Sequence, residues 1–373
     1  MVSTFTSSKF KFWSFISMVL LVFVHGYNLQ ERYLQPWTLP HENVTFTSFT
    51  QYFLANGLFR FRIPMLFVIS GYLFALHDYR PYKDTIKKRV KTILLPYLTW
   101  SAIGILMVYL AENNSYCKEL IANSHLLQID NTRLLLHDYT WYEVTARWLF
   151  APVPYQLWFL RVLFIYNLAY PFLKRWVTNK RASYIFFSIA ILLWLGTFGM
   201  VFFEGEGLLF FSLGIWLQKN SFNIETPGKW LSPKIWGLVF VLLSIIKTWL
   251  AFNGEMYVGN SIYFLLTILH KMVIVSGLVT AWFGGNTLVS WSMRHHWFIW
   301  LSSFSFIIYA LHAPWVALAI NPCLDLFKDY NTARMLSFII LPMAIIGVCI
   351  GIGYLLRKIF PNTYSFLTGG RGI

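Results

Sequence analysis

Residues 12–28 read FWSFISMVLLVFVHGYN, an apolar run with no charged side chain between Phe12 and Val24 that then reaches a histidine, His25. An apolar stretch of about 17 to 25 residues can cross the hydrocarbon core of a bilayer as a helix. The run therefore predicts a membrane-spanning helix. An imidazole at its end needs an explanation, because ionisable side chains at membrane depth are costly and often functional.

The whole chain repeats the character of this run. Of its 373 residues, 57% are hydrophobic and only 12% are charged, against about 25% charged in ordinary soluble domains. Lys9 and Lys11 precede the first run, but no small-residue cleavage site follows, so we expect a retained helix and not a signal peptide. The pattern predicts an all-α, polytopic membrane bundle of about ten transmembrane helices in a single domain, 1–373. The ten runs cover residues 11–28, 53–77, 93–111, 155–173, 184–203, 207–217, 235–253, 262–283, 298–320 and 335–356.

The distribution of charge predicts the orientation of the chain. With both termini in the cytoplasm, nineteen of the thirty lysines and arginines fall on the inner side and only six fall in outer segments. This is the positive-inside pattern of a multi-pass membrane protein. It accounts for the net charge of +15, so we expect no nucleic acid among the partners.

The cysteines and the long outer segments leave alternatives open. Cys117 and Cys323 both map to outer loops, so a disulfide is geometrically possible, but two unrelated thiols are the preferred interpretation. No C-x-x-C or H-E-x-x-H spacing occurs, so we expect no metal. Residues 29–52 and 112–154 either fold over the outer mouth or simply connect spans.

Polar side chains from several spans are predicted to lie in one layer near the outer surface. Ser305, Tyr309 and His312 share one helical face. Of the two arginines before Pro64 we favour Arg62 as the inward one, and Pro64 itself is expected to interrupt the second span. Taken singly, each residue also has a purely structural alternative. His312 could bridge two helices by a hydrogen bond, and Arg161 could reach lipid headgroups. The predicted set is His25, Arg60, Arg62, Gln156, Trp158, Arg161, Tyr309 and His312.

Several motifs resemble one family, the bacterial integral-membrane acyltransferases of the acyltransferase-3 type, which O-acylate surface glycans and related molecules. The similar pieces, in chain order, are LVFVHGYN, RIPMLFVISGYLFA, KKRVKTILLPYLTW, YQLWFLRVLFIY, FSFIIYALHAPW and LTGGR. The resemblance implies a catalytic histidine at His25 and a basic cytoplasmic element at Arg89 that meets the donor. This chain has Ser14 where the family commonly has an arginine, and Thr92 where the family's R-x-x-R motif has its second arginine.

The implied reaction is acyl transfer, with acyl-CoA (acetyl-CoA) as donor and a hydroxyl of a glycan or glycolipid as acceptor. His25 would act as general base. The tetrahedral oxyanion formed from the thioester carbonyl would be stabilised by Arg62, Ser70, Arg161 or Tyr309, with His312 in the same site. We place Lys88, Arg89, Lys91 and Trp158 in the donor site.

The sequence leaves the route of transfer, the oligomeric state and two other functions open. Transfer could be direct or could pass through acyl-His25, and the oligomeric state is undetermined. A transporter or flippase for a lipid-linked glycan is the main alternative, and a membrane sensor without chemistry is a third.

Overall fold

A computed structural model of the protein describes residues 2–26, 35–124, 126–128, 132–330 and 332–372. Within those ranges most of the chain is helical, and the β-structure is confined to a single bridge between Gly199 and Glu204. The all-α architecture is confirmed. The α-helices are α1 Thr4–His25, α2 Phe46–Tyr52, α3 Arg62–Leu76, α4 Tyr82–Arg89, α5 Leu95–Ala111, α6 Ser115–Ser124, α7 Trp141–Leu149, α8 Trp158–Leu168, α9 Tyr170–Thr178, α10 Lys180–Leu195, α11 Gly205–Lys219, α12 Pro233–Asn253, α13 Glu255–Val258, α14 Ile262–Val279, α15 Asn286–Ser292, α16 His296–Ser302, α17 Ser305–Leu326, α18 Ala333–Ile359 and α19 Pro361–Thr368.

Short helices of other types interrupt or join these elements. π-helices form at Phe53–Leu58, Val90–Leu94 and Thr280–Gly284. Two of them adjoin predicted arginines: the first ends just before Arg60, and the second begins directly after Arg89. π-Turns inside helices are frequent at functional positions. The 3₁₀ turns are Leu136–Asp138, Tyr155–Leu157, Lys229–Leu231 and Gly259–Ser261.

Seven helical stretches in the described ranges are long and apolar enough to cross a membrane. They support a multi-pass membrane protein, whereas the count of ten and the cytoplasmic location of the termini stay predictions. The three remaining apolar runs fold as shorter helices. The run 155–173 divides into α8 and α9, and the runs 184–203 and 207–217 correspond to α10 and α11, of 16 and 15 residues.

The chain forms two compact units, each built from two stretches of sequence. Unit 1 contains Met1–Tyr79 and Ala169–Ser302, and unit 2 contains Arg80–Leu168 and Ser303–Ile373. In each unit, helices from early in the sequence pack against helices from much later. The prediction of one domain stays a prediction.

Unit 1 is organised by close backbone packing of α3 against α11. Gly71, in the ISGYLF motif, faces the carbonyl oxygen of Phe211, and a Cβ at position 71 would lie 2.0 Å from that oxygen. Gly214 meets the carbonyl of Val68 in the same way, at 2.2 Å. Small residues allow helix backbones to approach closely in membranes, where packing and not hydrophobic exclusion joins the helices. These two glycines fix the position of α3.

Unit 2 is joined by side chains of the LPYLTW motif on α5. Pro96 lies in the first turn of α5, where a missing N–H is tolerated. The Tyr97 hydroxyl donates to the Leu149 carbonyl at 2.8 Å, and the Trp100 indole N–H donates to the Leu367 carbonyl of α19 at 2.9 Å. Both rings are buried. The motif therefore ties the third apolar run to the outer loop and to the C-terminal helix.

The outer segment 112–154 is folded and is not a plain connection. It contains α6 and α7, and the buried Glu112 carboxylate accepts hydrogen bonds from the backbone N–H groups of Leu136 and His137 at 2.7 and 3.0 Å. Cys117 and Cys323 are both free thiols, as the preferred interpretation predicted. Of the first outer segment, residues 27–34 lie outside the described ranges, and α2 occupies its end.

Candidate active site

The predicted site residues divide between the two units. His25, Arg62 and Ser70 belong to unit 1, whereas Trp158, Arg161, Tyr309 and His312 belong to unit 2 together with Lys88, Arg89 and Lys91. Within each unit the structure shows which residues are neighbours. That the two sets converge on one cavity stays a prediction.

His25 is the last residue of α1. The helix ends there because Gly26 leaves the helical conformation and its N–H turns back to the Phe23 carbonyl at 3.2 Å. His25 is half-buried and Gly26 is buried. Two residues earlier, the Phe23 ring packs edge-on against the Phe59 ring with centroids 6.5 Å apart. The end of the apolar helix is thus brought to the segment around Phe59.

That segment is a break in the second apolar run, and it positions Arg62. The chain leaves the helical pattern at residues 59–61 and resumes as α3 at Arg62. Pro64 therefore lies in the first turn of α3, where its missing N–H costs no hydrogen bond. The prediction that Pro64 interrupts the span was wrong by one turn, because the break precedes it. Arg62 is 5% exposed and donates to the Phe59 carbonyl at 2.8 Å, which agrees with the inward placement of this arginine.

Ser70 lies further along the same helix, half-buried and next to the Gly71 contact. Eight residues of α-helix separate Ser70 from Arg62, which is about 12 Å along the axis. Because the arginine side chain also leans toward the helix N-terminus, the two groups are too far apart to stabilise one oxyanion together. In unit 1, Arg62 is linked to the end of α1 through Phe59, whose carbonyl it binds and whose ring packs against Phe23.

In unit 2, Tyr309 and Gln156 form a reciprocal pair. The side-chain amide of Gln156 donates to the main-chain carbonyls of Tyr309 and Ala310, both at 3.1 Å. In return, the Tyr309 hydroxyl donates to the main-chain carbonyl of Gln156 at 2.7 Å. Both side chains are buried. The single hydroxyl proton of Tyr309 is committed to this hydrogen bond. This argues against the prediction that Tyr309 donates to an oxyanion and favours a positioning role.

Arg161 and His312 are held nearby in the same unit. The half-buried Arg161 interacts with the hydroxyl of Tyr97. His312 is fully buried, and its Nδ1 bonds the Ile308 carbonyl one turn earlier at 2.9 Å. A carbonyl can only accept, so Nδ1 carries a proton.

The helix that carries Tyr309 and His312 begins later than predicted, and their depth in the membrane stays a prediction. Ser303 and Phe304 interrupt the predicted 298–320 span, so that α16 ends at Ser302 and α17 starts afresh at Ser305. Both residues consequently lie in the first half of α17, not the second. The helical course of α17 is broken again at Ala313, which precedes a cis peptide bond to Pro314.

Sequence reasoning missed a buried polar cluster in unit 1. Lys247 of α12 is fully buried, and its Nζ donates to the main-chain carbonyl of Asn56 at 2.6 Å and lies 3.1 Å from Nδ1 of His270. Its third contact is the Tyr52 ring, 5.4 Å away. The signal was visible as ionisable residues inside the apolar runs 235–253 and 262–283. The cluster binds the main-chain carbonyl of Asn56 in the first π-helix, just ahead of the break that precedes Arg62.

A second missed residue is Asp78, which follows α3. Its carboxylate accepts from Tyr170, Lys174 and Lys219 at 2.7, 2.8 and 2.7 Å. Burial alone would raise the pKa of Asp78, but hydrogen bonds from the two lysines and the tyrosine outweigh it and hold the pKa at about 2. Asp78 joins α3 to α9 and α11.

The basic element predicted for the donor is only partly buried. Lys88 and Lys91 are exposed, and Arg89, at the end of α4, is half-buried. Trp158 is half-buried at the start of α8, with its ring edge-on to Phe159. The assignment of Trp158 to the donor site stays a prediction.

Another arginine lies beside Arg89. Arg371, in the LTGGR tail, donates to the Thr92 carbonyl at 2.7 Å, three residues after Arg89. Burial, together with the nearby charge of Arg89, lowers the pKa of Arg371 to about 10. The sequence contained this arginine as part of a motif, but nothing in the local pattern indicated its neighbour.

Comparison with known proteins gives the family. A family model described as "Acyltransferase domain" matches residues 12–357. The succinoglycan biosynthesis protein ExoH of Rhizobium meliloti (strain 1021) is 24% identical over 359 residues, which cover 94% of this chain and 89% of ExoH. A probable poly-beta-1,6-N-acetyl-D-glucosamine export protein of Staphylococcus aureus (strain MW2) is 24% identical over 353 residues, covering 89% of both chains. No solved structure matches significantly.

The matched region includes the apolar helix with His25, the arginine that follows the break, and the reciprocal pair in unit 2. It spans almost the whole described chain and both units. Together with the seven membrane-length helices, it identifies the protein as a multi-pass membrane acyltransferase that belongs to the acyltransferase-3 family.

Proposed function

We propose that this acyltransferase moves an acyl group, acetyl, from acyl-CoA on the cytoplasmic side of a bacterial inner membrane to a hydroxyl of a cell-surface glycan or glycolipid. His25 is the general base in this proposal. The observation that carries it is the position of His25, half-buried at the end of a 22-residue apolar helix and beside the segment that holds Arg62. An imidazole and a guanidinium are the pair that proton abstraction and oxyanion stabilisation require.

The names of two relatives support a glycan acceptor. ExoH is named for the biosynthesis of succinoglycan, and the staphylococcal relative is named for the export of poly-beta-1,6-N-acetyl-D-glucosamine. Both names refer to polysaccharides, and both alignments cover about nine tenths of each protein. A polysaccharide or its lipid-linked precursor is therefore the acceptor class that we infer for this chain.

In the proposed reaction, His25 accepts the proton of the acceptor hydroxyl as its oxygen attacks the thioester carbonyl carbon. A C–O bond forms, and the carbonyl π electrons move to oxygen as the tetrahedral oxyanion forms. Arg62 stabilises that oxyanion, a contribution typically worth about 3 kcal/mol for a single donor. Collapse of the intermediate breaks the C–S bond, and the imidazolium returns its proton to the CoA thiolate.

The test is acyl transfer by the purified full-length protein in nanodiscs, with acetyl-CoA and a glycan acceptor. We expect His25→Ala to lower the rate about 100-fold or more, since removal of a general base typically costs that much. The matched control is His296→Ala, because His296 is exposed at the start of α16. Undiminished transfer by the His25 variant would contradict the assignment.

The same preparation separates direct transfer from a covalent route. Mixing the enzyme with acetyl-CoA alone, followed by mass spectrometry of the intact protein, detects an acyl-enzyme if one accumulates. We expect direct transfer and therefore no acetylated His25. Stoichiometric acetylation of wild type that is lost in His25→Ala would establish the covalent route instead.

A second candidate function is export of a lipid-linked glycan, which the name of the staphylococcal relative favours. The two functions separate in vesicles reconstituted with the protein. An exporter moves the labelled glycan without acetyl-CoA, whereas the acyltransferase modifies it only when acetyl-CoA is present. Glycan movement that is independent of acetyl-CoA and unaffected by His25→Ala would favour export.

A further inference from the structure

The C-terminal tail of unit 2 is built into the unit. Gly369 and Gly372 have positive φ values of 61° and 76°, and Cβ atoms there would lie 2.5 Å from the Thr92 carbonyl and 2.0 Å from the Ser303 carbonyl. Arg371, between them, donates to the Thr92 carbonyl at 2.7 Å and to the Thr368 carbonyl at 3.0 Å. The glycines let the tail press against the π-helix Val90–Leu94, and Arg371 is thereby delivered to the end of α4.

The tail lies among positive charges. Arg357, at the end of α18, donates to the Gly372 carbonyl at 3.0 Å and to the Ser303 hydroxyl at 2.9 Å. Arg89 is close enough to act electrostatically on Arg371. Across the part of the chain that the structure describes, no carboxylate pairs with Arg357 or Arg371. Three guanidinium groups are thus gathered at one end of unit 2, although like charges repel.

Unused hydrogen-bonding groups occur at the same place. Tyr364 is fully buried, and its hydroxyl, which borders Gly372, makes no hydrogen bond within the described residues. The Thr92 hydroxyl is likewise buried without a partner there. Buried polar groups are normally satisfied. Neighbouring guanidinium groups and hydroxyl groups without a hydrogen-bond partner could together bind the oxygens of an anionic ligand such as phosphate.

We propose that Arg371, with Arg357 and Arg89, forms a phosphate-binding site for the acyl donor, so that the tail is part of the donor site and not only a cap on α19. The inference rests on the proposed acyl-CoA donor. Arginine suits the task because its planar fork binds phosphate oxygens in pairs. The Nη1 amino group of Arg371 donates to both backbone carbonyls, which fixes the plane of the guanidinium and leaves the N–H groups of its other nitrogens for a ligand.

The proposal adds a residue that the sequence pattern did not assign. The basic run Lys83–Lys91 is mostly exposed, so its lysines attract an anion without enclosing it. Arg371 comes from 279 residues away from Thr92 in sequence. It also lies beyond residue 357, where the family match ends. The site is therefore assembled by the fold of unit 2.

The test measures binding to the full-length protein in nanodiscs of zwitterionic phosphatidylcholine, so that no anionic headgroup competes. The ligands are CoA, pantetheine, which lacks the phosphates, and inorganic pyrophosphate. We expect Arg371→Gln to weaken CoA and pyrophosphate about tenfold to a hundredfold, and to leave pantetheine unchanged. Arg371→Lys, which keeps the charge and loses the fork, should fall between. Arg181→Gln, an exposed site in unit 1, is the matched control for the loss of one charge.

Each outcome either supports or contradicts the proposed phosphate site. If Arg371→Gln binds CoA as wild type does, the phosphate site is wrong and the proposed acyl donor stands. If CoA and pantetheine weaken equally, the tail is only structural and the inference fails. If wild type does not bind CoA, the proposed donor fails. In that case, loss of pyrophosphate binding in Arg371→Gln keeps the anion site, and absence of pyrophosphate binding in wild type overturns it.

Discussion

Adding one methyl group at Gly71 or at Gly214 should force α3 away from α11. A Cβ at these positions would lie 2.0 Å from the Phe211 carbonyl oxygen or 2.2 Å from the Val68 carbonyl oxygen. Carbon–oxygen contacts in proteins are about 3.3 to 3.6 Å, so each methyl requires the backbones to separate by about 1 Å. Overpacking of this kind costs about 1 to 3 kcal/mol. We expect Gly71→Ala and Gly214→Ala each to lower the free energy of unfolding by that amount.

The double variant tests the geometry more sharply than either single one. The same separation of α3 from α11 accommodates both methyl groups, so the second methyl should cost little once the first is present. A double-mutant cycle should therefore show a favourable coupling of about 0.5 to 3 kcal/mol. Two independent local clashes would instead give additive costs.

Unfolding in mixed micelles, followed by tryptophan fluorescence, measures these differences, and acyl transfer is measured in parallel. Because α3 carries Arg62 and Ser70, transfer should fall along with stability. Gly351→Ala on α18 is the matched control, since a Cβ there meets nothing within 4 Å. It should gain up to about 1 kcal/mol from helix propensity. A Gly71→Ala protein as stable as wild type, or strictly additive costs, would refute the packing argument.

Three further predictions concern buried polar groups. Lys247→Met should cost about 2 to 4 kcal/mol in thermal or denaturant unfolding, because its backbone and imidazole partners lose their donor; an equal loss in the exposed Lys234→Met would count against this. The folded-state pKa of Asp78 is depressed to about 2, so its contribution of about 2 kcal/mol is present above pH 4 and is lost as pH falls toward 2. The stability gap between wild type and Asp78→Asn should therefore close between pH 5 and pH 2, and a constant gap would exclude this origin. Tyr309→Phe should lose about 1 kcal/mol of stability with less than a tenfold change in kcat, whereas a hundredfold loss of kcat would restore Tyr309 as an oxyanion donor.

The apolar runs predicted the fold class well because burial in lipid depends on composition over about twenty residues, which a single sequence shows directly. They did not predict where helices break. The break at residues 59–61 contains Arg60, and the new start at Ser305 follows Ser303. One arginine or serine inside an apolar run of about twenty residues changes the average composition little, so the runs alone did not mark these positions. Pro64 was the visible marker, but a proline is tolerated in the first turn of a helix, so it indicated the break only approximately.

The burial of Arg62 and the place of His25 at the end of an apolar helix could be predicted from residue type and position in the run, whereas their catalytic roles stay predictions. The candidate site was not predictable where the partner is distant in sequence. Lys247 and Arg371 were visible as charges, but their contacts join positions 191 and 279 residues apart. The role of Tyr309 changed for a similar reason, because its hydrogen bond to Gln156 spans 153 residues.

The bond between Trp100 and Leu367 has a consequence for synthesis in the cell. Its two ends are 267 residues apart, which at about 5 to 20 residues per second is roughly 13 to 50 s of translation. Throughout that interval the third apolar helix resides in the bilayer before its final neighbour has been synthesised. The last stretch of unit 1, which ends at Ser302, is completed before the interval ends. Nascent chains halted before Pro361 should therefore contain all of unit 1 and only part of unit 2. We expect membrane quality control to recognise them.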